Sequence, residues 1–84
     1  MQLEKTVDLM LSDDYKDRLK AEYHQLTNRA NKLRKLLKDW SDGKLDKKFV
    51  PECPYYLLKW QLRTMDDYIY VLKTRAEVEG ISLK

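Results

Sequence analysis

At 84 residues, with 37% charged and 43% hydrophobic residues, the chain has room for one small globular domain near the lower limit of independent stability. Seventeen basic against fourteen acidic residues leave a surplus of +3, too small to diagnose nucleic-acid binding. The lone Cys53 excludes an internal disulfide and suits a reducing cytosol, and no apolar run approaches the roughly 18 residues of a membrane span.

Residues 1–11 open the chain as an apolar arm. Leu3, Val7, Met10 and Leu11 sit at helical spacing, and Glu4 and Asp8 make the stretch unlike a cleaved leader. Nine residues do not hold a helix alone in water, so the arm must dock on its own hairpin or on a neighbouring chain. Ser12 or Asp13 then caps a long helix over 12–41, with carboxylates at the positive end of its dipole. Along it Leu19, Tyr23, Leu26, Ala30, Leu33, Leu37 and Trp40 alternate steps of four and three. The connection 42–53 carries Gly43 as a helix terminator. It also holds Leu45, Phe49 and Val50, apolar enough to fold over the hairpin end. Pro54 suits the first turn of a second helix over 54–79, where Leu58, Leu62, Met65, Ile69, Leu72 and Ala76 repeat the same rhythm. Gly80 closes that helix before a short tail, 80–84.

The fold expected is all-α: one domain, an antiparallel two-helix hairpin with a short N-terminal helical arm. A lone hairpin is a thin rod with apolar surface left over, so assembly into a helical oligomer is expected.

Catalysis is not expected. His24, the sole histidine, sits just off the apolar seam and reads as an edge-of-core imidazole; Cys53 reads as a loop thiol. Asp13/Asp14 and Asp66/Asp67 are sequence neighbours, which a helix points about 100° apart, so they make poor acid–base dyads. There is no glycine-rich phosphate loop and no Cys/His cluster for a metal.

Binding chemistry remains. On a helical wheel, Tyr15, Arg18, Glu22, Gln25 and Arg29 share one flank of the first long helix. An aromatic plate, two guanidinium forks, a carboxylate and an amide suit stacking on a base and clamping a phosphate. A plainer account serves as well: Tyr15 as core edge, Arg29 solvated, and Glu22 paired with Arg18 one turn away. Tyr15 and Arg29 stand about 21 Å apart along a helix, so a compact nucleotide touches both only if two chains meet. Residues 29–48 hold eight basic residues against three acidic ones. Such a field favours an anionic partner, and a solvated face with a lysine-rich loop explains it equally.

These positions resemble a known hairpin domain. From Tyr15, Glu22 falls seven positions on, Leu26 eleven, Arg29 fourteen and Leu33 eighteen. Leu58, Gln61, Met65, Tyr68, Leu72 and Arg75 are similar to its closing L-x2-Q-x3-M-x2-Y-x3-L-x2-R. The domain is that of the phage anti-CBASS and anti-Thoeris sponge proteins. The resemblance implies a phage protein in the host cytosol, without cofactor, that oligomerises, commonly as a hexamer. It would sequester cyclic nucleotide immune signals without cleaving them: cyclic dinucleotides, cyclic trinucleotides or cyclic ADP-ribose isomers. It implies that Tyr15 and, from another protomer, Arg29 or its neighbour Lys32 hold a cyclic dinucleotide, with Arg18 on the same flank. Arg63 and Arg75 are carried over to a second pocket. Ala30 stands where the family usually has a branched aliphatic, and the connection 42–53 is this chain's own.

Gln61 and Tyr68 also admit a structural role, fixing register by hydrogen bonds across a helix interface. Two rival functions follow from the residues alone. One is a helical adaptor or inhibitor presenting Tyr55, Tyr56, Trp60 and Tyr70 to a protein partner. The other is a weak RNA or DNA binder using residues 29–48.

Overall fold

The computed structural model describes residues 2–83; Met1 and Lys84, the outer ends of the expected arm and tail, lie outside the described residues. Three α-helices account for most of it: α1 (Leu3–Met10), α2 (Tyr15–Ser41) and α3 (Tyr55–Glu79), with one 3-10 turn at Lys47–Phe49 and no strand among the described residues. The fold is all-α, as expected.

The two rhythms meet as an antiparallel seam. Leu19, Leu72 and Ala76 form its buried centre, with Tyr23 and Leu26 packed against them. Ala30, Leu37 and Met65 are buried further along. No predicted seam position of either helix is exposed. Beside the seam, both guanidinium Nη atoms of Arg34 donate to the Asp66 carboxylate at 3.1 and 2.9 Å, a fork-to-fork pair that fixes axial register. Gln61 and Tyr68, expected to have that role, lie exposed on α3 instead.

Both long helices end in the same way. The N–H groups of Gly43 and Lys44 reach back to the carbonyls of Trp40 and Asp39, and those of Gly80 and Ile81 to Glu77 and Ala76. Each glycine holds a left-handed φ, 72° and 70°, which a Cβ would penalise. The second turn sends the tail back over the core, where Ile81 and Leu83 pack against the Leu19–Leu72 cluster. At the opposite end Trp40 and Tyr55 meet edge to face, centroids 5.1 Å apart. Leu45 and Val50 of the connection are half-buried there. Phe49 departs from the expectation: it is exposed, with the Lys48 ammonium 5.2 Å from its ring centre.

The helix over 12–41 starts later than expected, and neither Ser12 nor Asp13 caps it. Asp14 does, its Oδ1 accepting from the Lys16 N–H at 2.9 Å. Ser12 instead accepts from the Asp14 N–H and donates to the Asp17 carboxylate, making the turn in which the chain reverses from α1 into α2. That reversal lays α1 antiparallel along its own α2, on a face away from α3. The contact does not run through the apolar ridge of α1. Leu3, Val7 and Met10 stay about half exposed, whereas Thr6 is fully buried and Ala21 of α2 is likewise inaccessible. Both fully buried side chains are small. The Thr6 hydroxyl donates to the Leu3 carbonyl and accepts from Gln25 Nε2 at 2.9 Å.

Candidate functional site

Tyr15 occupies the first turn of α2, opposite the last turn of α3. The Glu79 carboxylate lies beside its hydroxyl, and that acceptor, with its negative charge, raises the phenol pKa above its ordinary value. Arg75, one turn before Glu79, lies beside them with Nε 3.8 Å from the carboxylate. The phenol lies beside Glu79 while 47% of the residue stays exposed, which leaves ring surface available for stacking. Sequence reasoning singled out Tyr15 and Arg75 separately and missed Glu79, whose signal is its i+4 spacing from Arg75.

The rest of the α2 flank is divided by α1. Arg18 and Glu22, with Met10 and Gln25, line a cleft of about 300 Å³. The expected Arg18–Glu22 ion pair is absent among the described residues; Arg18 Nη1 reaches the Ser12 carbonyl at 3.5 Å. Gln25 is not free to read a ligand edge, because its amide is spent on Thr6 and on the Met10 sulfur. Beyond the other end of α1, Lys32 and Asn28 line a second cleft of about 430 Å³ with Gln2, Leu3 and Glu4. Arg29 is exposed. Within one chain Tyr15 and Arg29 remain about 21 Å apart along α2, so no single compact nucleotide reaches both.

Arg63 and Arg75 do not share a pocket within the chain. They stand about 18 Å apart along α3 and about 120° around it. Arg63 belongs to a cleft of about 470 Å³ with Tyr56, Lys59, Trp60, Asp66 and Asp67, whereas Arg75 joins Tyr15. His24 is an edge-of-core imidazole as expected. It lies edge-on to Tyr23, with the tail carbonyl of Leu83 near enough to oppose the shift in part, and keeps Nε2 buried without a partner; burial above all lowers its pKa.

The family model described as Sequestin matches residues 13–78, across α2, the connection and nearly all of α3. The chain belongs to the Sequestin family. The Sequestin match contains Tyr15, Arg18, Arg29, Lys32, Arg63 and Arg75, and leaves outside it the α1 arm, Glu79 and the tail. No curated protein and no solved structure matches the chain. The family name speaks of sequestration, in keeping with the resemblance drawn from the hairpin motifs. No described helix is long and apolar enough to cross a membrane.

Proposed function

We propose that this Sequestin protein is a phage-encoded sponge that captures cyclic oligonucleotide immune signals between protomers, in the host cytosol, without cleaving them. The observation that carries the reading is the Sequestin match over residues 13–78, which takes in the whole candidate flank. Tyr15 stacks on a base. Arg29 or Lys32 of another protomer neutralises a phosphate, and Arg18 adds a second guanidinium on the Tyr15 side. The exposure of Tyr15 and Arg29, and their separation of about 21 Å, support a site completed by a second chain. The assembly is a homo-oligomer, and the resemblance makes a hexamer the expected form. Capture works by stoichiometry and slow release, so it needs no turnover and no cofactor.

Thermal shift with cyclic dinucleotides, cyclic trinucleotides and cyclic ADP-ribose isomers tests this. A ligand at a hundredfold its Kd adds about 2.7 kcal/mol and raises Tm, and chromatography after heat release should return it intact. A panel in which no member raises Tm removes the reading, and a cleaved ligand replaces it with catalysis. The protein-binding alternative draws on Tyr56, Trp60 and Tyr70, all strongly exposed on α3, but no longer on Tyr55, which packs on Trp40.

A further inference from the structure

A second seven-residue repeat runs along α3 on the face away from α2. Leu57, Thr64, Val71 and Val78 recur every seven residues, and Trp60, Asp67 and Thr74 recur between them at the same interval. These are the a and d positions of a coiled-coil seam. All seven are exposed, Trp60 at 65% and Val78 at 81%, because the core seam lies on the other side of the helix and α1 packs on α2 alone.

We propose that a second copy of this chain covers this stripe from Leu57 to Thr74, α3 against α3, antiparallel about a two-fold axis. Asp67 selects the arrangement. Parallel pairing would set Asp67 against Asp67 of the partner subunit inside the seam, two like charges with no counterion. Antiparallel pairing layers each a position on a partner d position, and four registers are open. Three of them bury the Asp67 carboxylate against Leu57, Val71 or Val78. The fourth sets it against the Thr64 hydroxyl, a donor it can accept from, on both sides of the axis, with the two carboxylates in neighbouring layers rather than in one.

The same register matches size and charge elsewhere. Trp60 meets the partner's Val71, and Leu57 meets the partner's Thr74, large against small in each layer. On the flanks Arg63 reaches the Tyr70 ring of the partner subunit and the Tyr56 hydroxyl reaches its Glu77 carboxylate. Gln61 faces the partner's Tyr68, which gives these two exposed side chains a register role between chains rather than within one. The isologous geometry makes every such contact twice. The pairing uses the face opposite α2 and leaves Tyr15 and Arg29 uncovered, so it stands or falls independently of nucleotide binding.

Ligand-free full-length protein in a Cys53→Ser background tests the proposal. Thr64→Cys and Asp67→Cys chains, mixed in equal amounts and oxidised, should give the mixed disulfide beyond its statistical share. In sedimentation, Trp60→Glu and Val71→Glu should both give a smaller assembly than the parent chain, with helicity unchanged by circular dichroism. Symmetric Thr64→Cys disulfides in excess overturn the antiparallel register. A monomeric parent chain, or an unchanged mass in both glutamate variants, overturns the interface and returns the stripe to a foreign partner. Nucleotide-dependent shifts in Tm do not enter either reading.

Discussion

Two titratable side chains set separate pH windows for stability. His24 has its pKa lowered, first by burial and then by nearby positive charge that includes Lys20, so the unfolded chain takes up the proton more readily than the folded one. Its contribution is complete above the unfolded value of about 6.5 and is lost as pH falls through the folded value. His24→Gln keeps a polar side chain at the edge of the core while removing the titration. Urea midpoints measured between pH 7.5 and pH 5 should slope for the parent chain and flatten for the variant; an equal slope in both would exonerate His24. Asp66 works lower on the scale. Hydrogen bonding to Arg34 depresses its carboxyl pKa, so its contribution is present above about 3.9 and lost as pH falls through the folded value. Both partners are about half exposed, which limits the pair to between a few tenths and about 1 kcal/mol. Asp66→Asn should therefore lower stability by up to about 1 kcal/mol above about pH 4, the difference from the parent chain closing as pH falls below it, with the slope across the His24 window unchanged.

At the scale of elements, the packing of α1 is the feature least legible in the sequence and the easiest to disturb. Its apolar residues announce an arm, yet the fully buried residues of α1 and of the α2 face away from α3 are Thr6 and Ala21, one polar and both small, which no apolar periodicity selects. Ala21→Leu overfills that packing and should destabilise the chain by about 1–3 kcal/mol, chiefly by displacing α1. Hydrogen exchange should then accelerate in α1 amides and spare the centre of α2; uniform loss of protection would mean that α1 does not move as a unit. The α2–α3 seam was legible throughout because its large apolar side chains recur at helical spacing and must be buried somewhere. The glycine turns were legible too, since a left-handed φ leaves few residues to choose from. The start of α2 was misplaced because Ser12, Asp13 and Asp14 are all competent caps, and only tertiary reversal into α1 chooses among them. The approach of Tyr15 to Glu79 was invisible for a related reason. It depends on the axial register of two helices joined through a long connection, and Arg34 and Asp66, which fix that register, carry no motif.

At the scale of the whole molecule, one chain is an elongated body of 43 × 24 × 19 Å whose candidate binding groups are dispersed along α2. Tyr15 lies beside the end of α3, Arg18 opens beside one end of α1, and Lys32 opens beside the other. A compact anion meeting one chain would therefore find a ring without its full complement of positive charge, or charge without the ring. Two chains whose α2 flanks meet antiparallel would bring Tyr15 of one to Arg29 of the other and generate two equal sites. Chain mixing decides whether the groups are shared in this way. Tyr15→Ala and Arg29→Ala proteins should each lose the Tm shift given by whichever cyclic nucleotide stabilises the parent. Unfolded together and refolded, they should recover binding in about a quarter of the sites, the share in which an intact Tyr15 meets an intact Arg29 under random pairing. If the two groups instead served one chain's site, every site in the mixture would lack one of them, and no binding would return. Calorimetric stoichiometry separates the two cases without knowledge of the copy number, because it counts intact sites per chain.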